Sequence, residues 1–574
     1  MSHTPPSMPK QNWGMLALVF VLSLIGLIIL QILLIWPEHK WGIFNRHLDW
    51  VAKATWQLLS QNSTAVLAQY VSQLKSLDIY LEMKIAVSIA FLLSFSTSVL
   101  ISWRIVFVPG GQNKLVKING PTLYKDKSLK KGLRDHHRKS NQKSSVAIHP
   151  DLLLTSKELE GNIFAFGQHG SGKSVILKQL LQQIIEANQQ IIIYDEKREY
   201  TELFYDPKDT LLIAPWDKRS AHWDIAKDLK RDEDFELIAQ RLVPGNTKDP
   251  MWSNGARAIL AGVLAICNAE SNDKWSWDDI AKILSKDDFS LRVLFEQHYI
   301  KAARYIEKDS KTTHGFMSTL MTDVSWLYSL AKYWQNTSEK SFSLGDWVNG
   351  KRPNIKKIII QSHPEFKEVG APLCNSILGL ITSLMLAKPD NNSTLRTWLI
   401  IDELGNLPKN DSLKEWLTLG RSKGCRFVGG TQSISQLHDQ YGEHDTNTLL
   451  NLFATVIALR CGAPGGEAEY AAKCFGEAIY ERPCSGSTKV GPSAIGWQKE
   501  VSQLVTASDL VHLPQSNDNG ITGYITSSGW NSVFRLQWPY PKLGKQAPSH
   551  IPSPWILDTT QRPQKRKNGR LGAR

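Results

Sequence analysis

Cysteine is scarce in this chain of 574 residues: there are six, none before Cys267 and none in a C-x-x-C pair. Paired zinc ligands and a disulfide framework are thereby excluded, and free thiols in a reducing compartment are the simple reading. No internal repeat is evident, and the G-x-G-x-x-G fingerprint of a dinucleotide site is absent. Acidic residues are outnumbered, 54 against 67 Lys and Arg, for a formal net charge of +13. The excess is local. Ten Lys/Arg and two Asp fall between Gly111 and Ser145, a net of +8, so the rest is only mildly basic. That pattern speaks for one contact with a polyanion or a membrane surface rather than a basic coat over the whole protein. The chain is too long for one hydrophobic core, and several domains are expected.

Two stretches lack charge. Met15 to Trp36, "MLALVFVLSLIGLIILQILLIW", is interrupted only by Ser23 and Gln31, and "IAVSIAFLLSFSTSVLISW" runs from Ile85 to Trp103. At about 1.5 Å per residue each reaches across a hydrocarbon core of ~30 Å. Trp13, Trp36 and Trp103 stand where interfacial aromatics belong, and Arg104 is placed to snorkel. The first stretch is too long for a signal-peptide core, and no small-residue cleavage site follows. Spans at about 15–36 and 85–107 are predicted, with an outside loop over 37–84 whose "LDWVAKATWQLLSQNSTAVLAQYVSQLKSL" has helical spacing. The basic stretch that follows belongs on the cytoplasmic side, which puts both termini there, in a multi-pass membrane protein. Residues 111–148 read as a basic linker and 549–574 as a basic, apolar-poor, disordered tail.

From there on, short apolar runs alternate with helical patterns. "NIFAF", "QIIIYD", "KKIIIQS", "TWLIID", "CRFVGG" and "ATVIAL" read as strands buried on both faces, hence an α/β domain with a mostly parallel sheet over 149–220 and 344–548. Between 221 and 343 the strand runs vanish and helical spacing takes over, which predicts an inserted all-α domain.

The chemistry lies between the first two strands. Gly167-Gln168-His169-Gly170-Ser171-Gly172-Lys173-Ser174 is a complete G-x-x-x-x-G-K-[ST] phosphate loop, with a strand before it and a helix after it. The glycines let successive N–H groups turn toward phosphate oxygens at a helix N-terminus. Lys173 offers a point charge to the β- and γ-phosphates of ATP, and Ser174 offers a hydroxyl to Mg²⁺. Asp402, ending "TWLIID", is the candidate second magnesium group. Glu403 beside it is the candidate general base for an attacking water. Gln432, at the end of "CRFVGGT", could sense the γ-phosphate. Arg421 is the candidate trans-acting arginine, with Arg426 and Arg460 as rivals.

This combination resembles the TraD/TrwB family of conjugative coupling proteins, and most of all its TraD branch. The resemblance is carried by the phosphate loop, "YDEKREY" and "FYDP" at 194–207, "PWDKRSAHWD" at 215–224, "VPGNTKDPMWSNGAR" at 243–257, "IIDELGNLPK" at 400–409 and "GRSKGCRFVGGTQSISQLHDQYG" at 420–442. It implies a RecA-like P-loop NTPase domain with an inserted all-α domain, closing into a homo-hexamer beneath a two-helix anchor in a bacterial inner membrane, with the 37–84 loop in the periplasm. It places Lys173, Ser174, Asp402 and Glu403 on the family's nucleotide and metal positions, and Arg421 and Gln432 on its trans-acting arginine and glutamine partner. It implies a DNA-stimulated ATPase that passes relaxase-bound DNA, with little sequence preference, to the channel of a type IV secretion system. A duplex translocase of the FtsK or HerA kind and a nucleotide-regulated scaffold for protein effectors are the alternatives. The basic end of the chain departs from the long acidic extension of some TraD proteins, so relaxosome docking through such a tail is not expected.

Overall fold

A computed structural model describes residues 17–27, 41–61, 63–106, 116–139, 146–245, 249–271, 274–308, 310–334, 341–391, 395–462, 466–485 and 495–556. The chain divides into two compact units, one of Gly120–Ala478 with Gln503–Arg574 and one of Met1–Asn119 with Ile479–Ser502.

The larger unit is organised by one sheet. Its strands in chain order are β1 (Thr122–Tyr124), β2 (Asn162–Phe166), β3 (Gln190–Asp195), β4 (Thr210–Ile213), β5 (Lys357–Gln361), β6 (Thr397–Ile401), β7 (Cys425–Thr431), β8 (Phe453–Ala458), β9 (Ile521–Ser527) and β10 (Ser532–Trp538). Across the sheet they lie in the order β1-β10-β9-β8-β2-β7-β6-β3-β5-β4. Every residue of β2 through β7 is buried, as apolar runs without a polar alternation require. These strands and β8 pair in parallel. The hairpin of β9 and β10 continues the sheet antiparallel. Helices supply the cover. In α1 (Lys173–Glu186), Ile176, Leu177, Leu180, Leu181 and Ile184 recur at helical spacing and are all buried. At about 1.5–3 kcal/mol for each large apolar side chain buried, this stripe fixes the helix on the sheet. A longer helix, Lys367–Leu386, and the turn before it are apolar enough to pass for a membrane span, but 61% of that window is buried. It is a core helix.

The helical segment is pinched at its base. His222–Trp223 and Ser341–Phe342 pair as a two-stranded parallel ribbon. Asp228 accepts from the Trp223 indole, the Leu344 amide and the Gly345 amide at 2.8–2.9 Å, tying the two ends together. Between them α2 (Pro250–Ser271) is the central helix, with a buried run from Ile259 to Cys267. Trp277 lies within 5.4–6.2 Å of the rings of Trp223, Trp326 and Trp334.

The smaller unit holds helices over Ala17–Leu27, Trp41–Gln61, Ala65–Ser76 and Tyr80–Val106, together with most of a three-stranded sheet of Val116–Asn119, Glu477–Ser485 and Ile495–Gln503, whose last two strands begin or end in the larger unit. The 27-residue helix Tyr80–Val106 measures about 40 Å. Its window Tyr80–Ile101 has a mean hydropathy of 1.9 and is long enough to cross a membrane. It starts five residues before the expected span. Of the first predicted span only 17–27 is among the described residues.

Two expectations need correction. The basic stretch 111–148 is not a plain linker: it contributes β1 to the sheet edge, a helix over Leu129–Lys139 and a strand over Val146–His149. Its few apolar residues are placed to pack. Tyr124 stacks on Phe534 at 5.6 Å, and Leu133 enters the core while Lys125, Lys127, Lys130, Lys131, Arg134 and Arg138 are exposed. The segment 549–556, which begins the predicted tail, docks on the 215–219 loop. Ile551 donates its amide to Asp217 at 2.9 Å, Ser553 donates to the Trp216 carbonyl, and Trp555 stacks on Tyr333 at 3.8 Å. The remainder of the predicted tail lies outside the described residues.

Candidate nucleotide site

The carboxyl ends of β2, β3, β6 and β7 meet at one edge of the sheet, where a parallel α/β sheet binds its ligands. The phosphate loop leaves β2 there and turns into α1. Gly170 and Gly172 have φ of +74° and +96°, a conformation that side chains disfavour, and a Cβ on Gly172 would collide with Ile521. Gly167 donates its backbone N–H to the Thr431 carbonyl (3.3 Å), and Gln168 donates its own to the Arg460 carbonyl (2.9 Å). With its amide oxygen turned inward, the Gln168 side chain also accepts from Arg460 Nη2 at 2.6 Å. His169 and Gly170 at the crest of the loop are exposed, while Ser171 is buried.

Lys173 is 4% exposed, and its Nζ donates to Glu403 Oε2 at 2.6 Å. A glycine makes that reach possible: a Cβ on Gly430 would stand 2.5 Å from Lys173 Cδ. Glu403, 6% exposed, also accepts through Oε1 from the Thr431 hydroxyl and the Gln432 amide, each at 3.0 Å. A buried carboxylate needs such partners. Ser174 Oγ donates to Asp402 Oδ2 at 2.6 Å, and Asp402 Oδ1 is buried with no hydrogen-bond partner. The donor set suits magnesium: a hydroxyl and a carboxylate are hard oxygen ligands, and the unmatched Oδ1 is an acceptor for a metal-bound water. Among the described residues no group of three or more His, Cys, Asp and Glu is placed to hold a metal ion by itself, so a magnesium here would rest on Ser174, Asp402 and the nucleotide's phosphates.

The structure therefore gathers Lys173, Ser174, Asp402, Glu403 and the main chain of Gln432 at one edge. Arg421 lies elsewhere. It follows α3 (Ser412–Thr418) and precedes β7, whereas Gln432 follows β7, so about 20 Å of strand separates them. Arg421 is exposed, and its Nη2 donates to Glu160 Oε2 at 2.7 Å before the start of β2. This hydrogen bond holds the Glu160 carboxyl below the usual range. The rivals are engaged within the chain. Arg426 is buried and donates to the carbonyls of Arg421 and Cys425, while Arg460 packs on the phosphate loop.

Sequence reasoning missed Asp195 and Tyr200. The register of β6 on β3 pairs Ile401 with Tyr194, so Asp195 ends β3 directly beside Asp402. Asp195 is fully buried; Thr201 donates to its Oδ2 from its amide (2.6 Å) and hydroxyl (2.7 Å). Burial pushes its carboxyl up to about 6. An aspartate ending the apolar run "QIIIYD" was the available signal, but nothing in the sequence says that β3 neighbours β6.

The model of the type IV secretion-system coupling protein DNA-binding domain matches residues 147–530. Coupling protein TraD of Escherichia coli (strain K12) is 27% identical over 479 residues, covering 82% of this chain and 64% of TraD. Among solved structures, the unbound conjugative coupling protein TrwBdeltaN70 superposes with a TM-score of 0.64 at 21% identity, over 77% of this chain and 98% of that one. TrwB in complex with ADP and Mg²⁺ gives 0.62 at 20% identity, over 78% of this chain and 99% of that one. At such identities the structures speak for the fold.

Proposed function

The chain belongs to the type IV secretion-system coupling protein family, and on that premise we propose that it is a membrane-anchored, DNA-stimulated ATPase that delivers relaxase-bound DNA to a secretion channel during conjugation. The observation that carries this reading is Glu403, held by Lys173, Thr431 and the Gln432 amide one residue from an Asp402 that already engages Ser174. A bound γ-phosphate would draw Lys173 from Glu403 and leave that carboxylate free to take a proton from water. Ser174 and Asp402 would hold Mg²⁺, which neutralises charge on the β- and γ-phosphate oxygens. Lys173 and the amides of the phosphate loop bind and orient the nucleotide.

Arg421 serves a neighbouring subunit. It sits at the wrong end of β2 and β7 to reach its own phosphate loop, it is exposed, and only a weak surface ion pair restrains it. A ring of six would bring each Arg421 to the next subunit's nucleotide, with Gln432 relaying the state of the γ-phosphate. Basic residues around the helix Leu129–Lys139 suit the phosphate backbone of DNA or an anionic membrane surface.

The test is transfer of a relaxase-bound plasmid from a strain lacking this chain. Wild type should restore transfer and Glu403→Gln should not, although the variant still binds nucleotide. Equal transfer by both would remove ATP hydrolysis from the reading and favour a scaffold.

A further inference from the structure

Several side-chain polar atoms among the described residues of the larger unit are buried without a hydrogen-bond partner, and three of them belong to residues that line one small cleft: Asp402 Oδ1, Asp195 Oδ1 and the Tyr200 hydroxyl. An orphaned buried polar atom costs about 1–3 kcal/mol, so three around one cleft are not a packing accident. Asp402 is accounted for by the proposed metal. Asp195 and Tyr200 are not.

We propose that Asp195 and Tyr200 form the inner wall of the magnesium site, receiving the water shell of the cation rather than the cation itself. Magnesium keeps several waters when it binds between phosphates and one or two protein groups. Each retained water presents hydrogens that must be accepted. The Asp402 and Asp195 oxygens that lack donors are such acceptors, placed side by side because their strands are neighbours in register. Tyr200 lines the same cleft as both carboxylates, and its hydroxyl is buried without a partner. Its O–H can donate to the Asp402 carboxylate or to a water between the two acids.

The wall is built rigidly. Asp195 is anchored through its other oxygen by Thr201, whose hydroxyl in turn accepts from Gln361 Nε2 at 3.1 Å. Gln361 continues to the Ser549 carbonyl at 3.1 Å and receives the Trp216 indole at 3.3 Å. Asp195 is therefore a positioning residue: it reaches the nucleotide through water and metal, and touches neither reacting oxygen.

The inference rests on the proposed nucleotide reading, and one binding experiment separates the two. Affinity for a fluorescent ADP is measured with the detergent-solubilised full chain, with excess Mg²⁺ and with EDTA. Wild type should bind more tightly with Mg²⁺; if it does not, the nucleotide-metal reading itself fails. Given that response, Asp195→Asn should need about 10–100 times more Mg²⁺ to reach half of it, with EDTA-state affinity unchanged, as when the support of a metal ligand is lost. Tyr200→Phe should raise the Mg²⁺ requirement several-fold, and it stands as the deciding variant should Asp195→Asn fail to fold. A merely structural role predicts something else: a lowered melting temperature with an unaltered Mg²⁺ midpoint, or equal loss of affinity with and without metal. Either outcome, or an unaltered midpoint in Tyr200→Phe, overturns the proposal.

Discussion

At the scale of single residues the site is built on two pairs, Lys173 with Glu403 and Ser174 with Asp402. Lys173→Ala leaves Glu403 a buried carboxylate without its cation. The expected outcome is loss of nucleotide retention together with a drop in stability of a few kcal/mol, read by fluorescent-nucleotide binding and by melting. Glu403→Gln keeps an acceptor for Thr431 and Gln432 but is no base. Its phosphate release should fall by about 10²–10⁴ while nucleotide binding persists. What was legible here came from spacing: the phosphate loop and the D-E pair are contiguous motifs. The interior contacts were not. Asp195 meets Asp402 through sheet order, and Gly430 accommodates the Lys173 stem through the crossing of two elements far apart in the sequence.

At the scale of elements, the strands announced themselves because a strand buried on both faces has no choice but to be apolar throughout. The sheet margin was harder. β1 is three residues long inside a strongly basic stretch, and its role depends on one ring stacked on Phe534 rather than on a pattern. The 549–556 strap was read as tail for the same reason. Trp555 stacks on Tyr333 and donates its indole to the Pro215 carbonyl at 3.1 Å. Trp555→Ala should therefore cost about 1–3 kcal/mol, seen as a lower midpoint in urea. Beside the strap, burial, Arg198 and His550 lower His363 to about 4, and its neutral ring accepts from the Glu365 amide. A ring kept neutral by the fold contributes stability above the unfolded value of about 6.5 and loses it as pH falls toward 4. The melting temperature should drop between pH 6.5 and 4.5, and His363→Asn, which can still cap that turn, should show a smaller drop.

At the scale of the whole molecule, sequence pattern foresaw an α/β domain, a helical segment and an apolar span, because each is written in hydrophobic period and length. Assembly is written in no single chain. The separation of Arg421 from the phosphate loop by the length of β2 nevertheless makes a prediction about it. Arg421→Ala and Lys173→Ala proteins should each be inactive alone, and mixing them should recover phosphate release, since some junctions then pair an intact loop with an intact arginine. No recovery from co-assembled subunits would contradict a shared site.

The central claim is that this family member turns over ATP at Glu403, and phosphate release by the detergent-solubilised full chain tests it most directly. Release that requires Mg²⁺, rises when DNA is added and disappears in Glu403→Gln is the predicted result. Release absent with and without DNA from protein that binds Mg²⁺-nucleotide, or undiminished in Glu403→Gln, would contradict the account.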